Sequence, residues 1–473
     1  MLTSLFPLNS RFRIWGAEGQ PLGGQTFIER VQQTSAEISD RLPSGSVVGL
    51  MGDNSPDWAV ADLALQLSGL VCVPIPTFFV QSQVIYLLEA HQIDAVLMPA
   101  EMSTTLIQPW SNDVEIKPLK GSGLSLYIRP TIKRSVSDSE LSKLTFTSGS
   151  TGAPKGIALS RHDQWEVAES LAQVLKGLDL QRHLAMLPLA VLLENVAGLY
   201  AGLLMGADVF LLPMPMTGLS GSSAFDVKQA CKAIDAHQIE SVILLPEMLR
   251  SLTAHLKTTG QKLGSLKFVA VGGGKVSPQL IKEARDQHLP AYEGYGLSEA
   301  ASVVSLNRPQ AERVGSVGRA LPHRQIQIAQ DGEILFRRSS NDAWNATGDL
   351  GHLDTEGYLY VTGRKKNLLI TSFGRNVSPE WPESLLLEWS EVTQAVVFGD
   401  GQAKISALLH AADPKTRDAD LEACVTAVNQ QLPDYAQIGS WHRSATAFTY
   451  QNGLATANGR PRRDRIEAHY FPK

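Results

Sequence analysis

Ten consecutive residues, Thr147-Ser148-Gly149-Ser150-Thr151-Gly152-Ala153-Pro154-Lys155-Gly156, bring together four hydroxyls, three glycines and a lysine with almost no bulk. Glycines let the backbone bring its N–H groups close to a ligand, hydroxyls add donors, and an ammonium supplies a compact charge for phosphate oxygens. The composition is that of a polyphosphate cradle. It is not a P-loop, which needs Gly-Lys-Ser/Thr opening a helix, because Pro154 precedes Lys155 and Gly156 follows it. A flexible Ser/Thr/Gly linker is the competing reading, and the fixed Pro-Lys-Gly ending between apolar stretches argues against it.

Further along lie other candidates. Gly272-Gly273-Gly274 follows an apolar run and precedes Ser277-Pro278, an N-cap residue and a first-turn proline where a helix begins. Such glycines admit a flat ligand against the backbone, or merely make a tight strand-to-helix turn. Tyr292-Glu293-Gly294-Tyr295-Gly296-Leu297-Ser298-Glu299 reads as a turn-rich segment. Its aromatics can stack on a base, Ser298 can donate to a phosphate, and Glu299 can hold Mg2+, which prefers one or two carboxylates plus substrate oxygens. A tyrosine there can equally be core. Trp344-Asn345-Ala346-Thr347-Gly348-Asp349 ends in an aspartate read as lying on a turn, suited to a ribose diol or simply solvated. The basic run Gly363-Arg364-Lys365-Lys366-Asn367 is a solvated face or a hinge with a second ribose or phosphate contact.

The elements that must position these groups alternate. Apolar runs at 47–51, 71–75 and 95–98 read as strands, with helical patterns at 58–67 and 81–91 between them. A polar interval, 111–140, separates them from the cradle, which is flanked by strands at 144–146 and 157–159. The alternation returns as a helix over 227–236, a strand over 241–245, a helix over 247–256 and a strand over 267–271. This predicts an α/β fold with two similar sheet layers. Residues 315–361 change to short strands with turns, which predicts a small β-barrel-like lobe. The expected division is a large N-terminal domain, 1–363, and a small mobile α/β domain, 364–473.

At 473 residues the chain exceeds one ordinary core, and its 43% hydrophobic and 19% charged composition is that of a globular protein. A formal charge of -5 gives no basic footprint for nucleic acid. Cys72, Cys231 and Cys424 stand far apart with no CxxC spacing, against a zinc site or disulfide framework and in keeping with a reducing cytoplasm. No secretory leader is read at the N-terminus, and Glu194, Asn195 and Asp208 interrupt the most apolar stretch below membrane-span length.

Taken in order, these motifs resemble the adenylate-forming superfamily of acyl-CoA synthetases, carrier-loading adenylation domains and luciferases. TSGSTGAPKG is similar to its phosphate-loop signature, YGLSE to its adenine and Mg2+ motif, TGD to its ribose motif and GRKKN to its hinge. The resemblance implies attack of a substrate carboxylate on the α-phosphate of ATP, then rotation of the C-terminal domain and transfer of the acyl group to a thiol, CoA or a phosphopantetheine, with release of AMP. It implies that Ser148, Thr151 and Lys155, within the loop that includes Thr147, Gly149, Ser150 and Gly152, neutralise the β- and γ-phosphates. Ser298 would contact the α-phosphate and Glu299 the Mg2+. Glu293, Gly294, Tyr295, Gly296 and the loop Gly272, Gly273 and Gly274 would border the adenine, Asp349 and Arg364 would hold the ribose, and Lys366 would be the pivot.

Two positions depart from the family pattern. Arg460, in Asn458-Gly459-Arg460, stands where the resemblance implies a lysine that bridges substrate carboxylate and α-phosphate. Either Arg460 works in a remodelled site, or adenylation is slow, or Lys473 or another residue substitutes; guanidinium and ammonium are not interchangeable. Leu187-Pro188-Leu189-Ala190-Val191-Leu192-Leu193-Glu194 resembles the LPLAHIFE stretch of fatty acyl-CoA synthetases, with Val191 at the histidine position. That favours a nonpolar acyl substrate, unless Val191 simply packs in a core. The expectation is therefore a fatty acyl-CoA ligase. A ligase that loads an acyl carrier protein and a catalytically impaired nucleotide- or acyl-binding protein are the alternatives.

Overall fold

The computed structural model describes residues 11–102, 107, 110, 114–130, 140–148, 154–221, 224–338, 340–411, 413–456 and 459–471. The chain forms two compact units, one of 1–271 with 287–291 and 296–304, the other of 272–286, 292–295 and 305–473.

The first unit carries two sheets. One has strand order Glu115–Pro118, Ser125–Ile128, Ala95–Met98, Val47–Met51, Val71–Ile75, Leu141–Ser148, Pro154–Ser160. Its centre is parallel, with Val48 opposite both Cys72 and Ala95. The central strands are buried at every position, as expected where helices cover both faces of a parallel sheet. Helix Pro56–Leu67 starts where Ser55 accepts from the Trp58 N–H at 3.1 Å with Pro56 in the first turn. The interval read as a polar separator instead holds two antiparallel strands that extend this sheet. Ser125–Ile128 is wholly buried there, but two such short strands set among polar residues give almost no periodicity to read.

The second sheet of this unit runs Phe268–Val271, Ser241–Leu244, Arg182–Leu184, Asp208–Phe210, Arg13–Trp15, Pro21–Gly23, parallel except for the last pair. Helices Val227–Ala236 and Pro246–Thr259 fall where the periodicity puts them. The apolar stretch after Leu184 includes a π-helix, Glu194–Tyr200, that continues as Ala201–Met205.

In the second unit, Gln325–Ile328, Glu333–Arg337, Asn345–Leu353 and Leu359–Arg364 form an antiparallel meander, the form taken by the lobe expected to be barrel-like. A further sheet joins Val392–Phe398, Ile405–Ala411 and Ile438–Arg443. Alternation on these strands sends Ala395, Val397, Ala407 and Leu409 into one core, while Val396, Phe398 and Leu408 enter another beneath helix Arg463–Tyr470. Among the described residues, no helix is long and apolar enough to cross a membrane.

Candidate active site

In the first unit, the strands Leu141–Ser148 and Pro154–Ser160 pair antiparallel, with Thr147 opposite Lys155 and Ser148 opposite Pro154. Residues 149–153, hence Gly149, Ser150, Thr151 and Gly152, lie outside the described residues, as do the side chains of Thr147, Ser148 and Lys155. The cradle is thus held at both ends by a hairpin stem. A Cβ on Gly156 would come within 3.2 Å of the Phe146 ring, so the stem closes tightly. Ser160 then caps helix Arg161–Leu175, its hydroxyl accepting from the Asp163 N–H at 3.0 Å.

One strand of that stem is anchored by a group the motifs did not mark. Lys143 is fully buried, with Nζ 2.9 Å from Asp62 Oδ1, 2.5 Å from Asn195 Oδ1 and 3.0 Å from the Tyr200 hydroxyl. Asn195 donates back to Asp62 Oδ2 at 3.0 Å, and Tyr200 OH also donates to Asp62. Gln66 donates to Tyr200 at 2.5 Å and accepts from the Trp165 indole at 3.1 Å. The π-helix presents both Asn195 and Tyr200 to this network, which joins helix, strand and π-helix around a charge pair that water does not reach.

Ser298 and Glu299 sit on a single 3-10 turn, Ser298–Ala300, packed against the strand Pro154–Ser160 that leaves the cradle. Ala301 follows at φ 58° and Ser302 at φ 120°, a backbone path that side-chain-bearing residues rarely take. Gly296 lets that path fold back, since a Cβ there would stand 1.9 Å from the Ser302 carbonyl oxygen. The Glu299 carboxylate is exposed.

The segment Tyr292–Glu299, expected to be turn-rich, is mainly the strand Ala291–Leu297. Its glycines serve close approach rather than turning: a Cβ on Gly294 would press to 3.0 Å against Leu306. Asp349, expected on a turn, lies within the strand Asn345–Leu353. Gly348, at φ 72°, only kinks that strand.

In the second unit, Tyr295, Asp349 and Arg364 converge. Asp349 stands opposite Arg364 in the ladder, its Oδ1 2.8 Å from Arg364 Nε, and its Oδ2 accepts from the Tyr295 hydroxyl at 2.6 Å. Its own N–H donates to Thr347 Oγ1 at 3.0 Å. Burial raises the Asp349 carboxyl above its ordinary range, opposed by Arg364, by the Tyr295 bond and by the charge of Arg460. Burial and the adjacent Asp349 hold the Tyr295 phenol well above its usual value, so it stays a donor. Lys365 pairs with Asp331 at 2.7 Å and with Glu333 at 2.8 Å, and Glu333 accepts from the Gly348 N–H at 2.9 Å. The basic turn is thus tied to the aspartate strand through Lys365 and Glu333, an acid no local motif marks, whereas Lys366 is exposed.

The glycine loop belongs to the same unit. Gly273 takes φ 80°, and Ser277 caps helix Pro278–Asp286 by accepting from the Leu280 N–H at 3.1 Å, the helix start read in the sequence. Glu293 is buried and accepts from the Val276 N–H at 3.4 Å. Burial pushes its carboxyl up to about 8 despite that bond and the charge of Lys275. Arg460 donates through its guanidinium to the carbonyl oxygen of Gly273.

A sequence model of the AMP-binding enzyme matches residues 12–340, and one of the AMP-binding enzyme C-terminal domain matches residues 366–472. The chain belongs to the AMP-binding enzyme family. The adenylate-forming superfamily that the motifs resemble is therefore its own. Within the family it is 26% identical over 453 residues to a long-chain-fatty-acid–CoA ligase of Mycobacterium bovis, covering 79% of this chain and 74% of that protein. It is 30% identical over 295 residues to the 2-succinylbenzoate–CoA ligase of Bacillus subtilis, covering 57% of this chain and 58% of that one. The fold matches the O-succinylbenzoate coenzyme A synthetase of Bacillus subtilis in complex with AMP, with a TM-score of 0.78 at 21% identity over 98% of this chain and 96% of that one. The same synthetase has been solved with ATP and magnesium ion.

Proposed function

We propose that this AMP-binding enzyme joins a carboxylic acid to the thiol of CoA through an acyl-adenylate, with ATP and Mg2+. The observation that carries the reading is the hydrogen bond from Arg460 to the Gly273 carbonyl, together with the electrostatic reach of Arg460 to Asp349. A cation at the position where the family resemblance implies a lysine is thereby held beside the glycine loop and near the ribose aspartate.

In this reading Ser148, Thr151 and Lys155 neutralise the β- and γ-phosphates, with Thr147, Gly149, Ser150 and Gly152 shaping the loop. Ser298 contacts the α-phosphate. Tyr295, Glu293, Gly294, Gly296 and Gly272 to Gly274 border the adenine, Asp349 and Arg364 orient the ribose, and Lys366 is the pivot between domains divided at Gly363. Arg460 neutralises charge that builds on the α-phosphate as the carboxylate attacks. Glu299 fits the Mg2+, because its carboxylate is exposed on a turn against the strand leaving the cradle. Bound there, Mg2+ supplies charge neutralisation on the phosphates.

A fatty acid is the substrate we favour. Leu187 through Leu193 is apolar throughout, with Leu187, Leu189, Ala190 and Leu192 buried, and the relative 26% identical over 79% of this chain is a long-chain-fatty-acid–CoA ligase. An aromatic acid is the second reading, because the 30% identical relative is a 2-succinylbenzoate–CoA ligase. Three buried free thiols suit a reducing cytoplasm.

The test is pyrophosphate release from ATP and Mg2+ with fatty, aromatic and amino acids, followed by addition of CoA or a phosphopantetheinylated carrier protein and mass analysis of the product. Acyl-CoA from fatty acids supports the reading. Transfer to carrier alone would replace CoA as acceptor, and no pyrophosphate with any acid would leave only a binding protein.

A further inference from the structure

Helix Glu380–Leu386 turns Glu380 and Glu383 to one side, three residues apart, and Arg463 lies across both. Arg463 Nη2 is 2.5 Å from Glu383 Oε2, Nη1 donates to Oε1, and Nη1 also reaches the Val397 carbonyl at 3.2 Å. Glu383 in turn accepts from the Val397 N–H at 2.6 Å. Glu380 Oε1 lies 3.7 Å from Arg463 and accepts from the Asn367 amide at 2.6 Å, while its Oε2 accepts from Ser378 at 2.8 Å. Asn367 ends the basic run Gly363–Asn367. The cluster also rests on Gly363, where a Cβ would stand 1.8 Å from Ser378 Oγ and 3.1 Å from Glu380 Oε2.

At the other end, Arg463 follows a closed turn that carries Arg460. Thr456 N–H donates to the Arg460 carbonyl at 2.8 Å, the Arg460 N–H returns to Thr456 Oγ1 at 3.2 Å, and Arg462 N–H donates to the Leu454 carbonyl at 2.8 Å. Ala455 and Pro461 bridge across its neck. These bonds tie Arg460 back to Thr456 and Arg462 back to Leu454, so the direction of Arg460 follows whatever fixes the base from which both segments rise. The buried Leu454 and Ala455 fix one side of that base and Arg463 the other.

We propose that Glu380, Glu383 and Arg463 are positioning residues that lock the turn of Arg460 to the segment Gly363–Asn367 and thereby hold its guanidinium on the Gly273 carbonyl. This deepens the adenylation reading and rests on it for its kinetic consequence. A buried carboxylate, Glu383, and a partly buried one, Glu380, around one guanidinium form a directional joint, because removing any member leaves the others with unmet charge or hydrogen bonds. A signal that moves Asn367 is delivered to Arg460 through Glu380 and Arg463.

Asn367→Ala and Glu380→Ala test this in the full chain. They spare the Arg463–Glu383 pair, whose loss could prevent folding. Hydrogen–deuterium exchange should show the amides of Thr456, Gly459, Arg460 and Arg462 exchanging at least about threefold faster in both variants, with the strands Val392–Phe398 and Ile405–Ala411 unchanged. The rate of pyrophosphate formation should fall by about tenfold with the KM for ATP within about twofold, the pattern of a group misplaced in the transition state. Unaltered exchange in the Arg460 turn of either folded variant overturns the proposal, as does a loss confined to KM. The exchange result needs no turnover, so a wild-type chain that released no pyrophosphate would sink the adenylation reading while the exchange still decided the coupling.

Discussion

The guanidinium of Arg460 rests on the carbonyl oxygen of Gly273, a glycine whose φ of 80° turns that part of the loop. A planar fork can hold a carbonyl with one N–H and still present others, which an ammonium on a flexible stem does less rigidly. Removing it should therefore damage the step in which charge builds at phosphorus. Arg460→Ala is expected to lower acyl-adenylate formation at least about a hundredfold, ~2.7 kcal/mol in barrier. Transfer of the acyl group from supplied acyl-adenylate to CoA should change by less than about threefold. Single-turnover assays of each half-reaction check this, and equal losses in both would remove Arg460 from its assigned step.

Asp349 makes two charge-assisted bonds, one from Arg364 across its own ladder and one from Tyr295 on the strand Ala291–Leu297. Its carboxylate is thereby aimed before any ligand arrives. Asp349→Asn keeps the shape and loses the charge, and should weaken ATP binding by about tenfold to a hundredfold, given roughly 1.5–3 kcal/mol for a hydrogen bond to a charged group. Tyr295→Phe should cost less, about threefold to tenfold, since Arg364 still orients the carboxylate. Equilibrium binding of ATP measures both. A larger loss for Tyr295→Phe than for Asp349→Asn would contradict this ordering.

The outline of this site was legible because its motifs are local and its elements periodic. The run at 47–51 and the helix at 227–236 obey their periods, and Ser277-Pro278 announces its helix by chemistry alone. Glycine misled the reading elsewhere. Gly294 and Gly296 look like turn residues, yet they sit in a strand because Leu306 and the Ser302 carbonyl press against them, a tertiary demand that no window of sequence contains. The partners of the motifs were hidden for a related reason. Glu333, Glu380 and Asp62 are ordinary acids in ordinary surroundings until the fold brings Lys365, Arg463 and Lys143 to them from 32, 83 and 81 positions away.

Glu293 gives stability a pH dependence of known sign. Its ordinary carboxyl value is 4.5, and burial raises it to about 8 in the folded chain. The folded state then holds a proton that the unfolded state releases, so its contribution is complete below pH 4.5 and is lost as pH rises toward 8. Glu293→Gln cannot ionise and keeps an oxygen for the Val276 N–H. Relative to wild type, the variant should gain roughly 3–5 kcal/mol between the two ends of this window. Urea unfolding at several pH values measures the difference, and parallel pH slopes for the two proteins would show that Glu293 does not titrate there.

Lys143 and Asp62 pose the opposite case, a charge pair with no solvent contact at either side chain. Lys143→Met leaves Asp62 with the bonds from Asn195 and Tyr200 but without its counter-charge. An uncompensated buried carboxylate is expected to cost about 3–5 kcal/mol of folding stability. Asp62→Asn strands the ammonium by a similar amount, whereas the double variant removes both charges and should recover about half of the summed loss, because the two residues are directly coupled. Urea unfolding of the single and double variants closes the cycle. Strict additivity would mean that the pair contributes through packing alone. Since Lys143 lies on the strand that enters the phosphate cradle, the same cycle run on ATP affinity decides a second matter. A coupling energy there beyond the stability term would mean that the buried pair also sets the pitch of the loop above it.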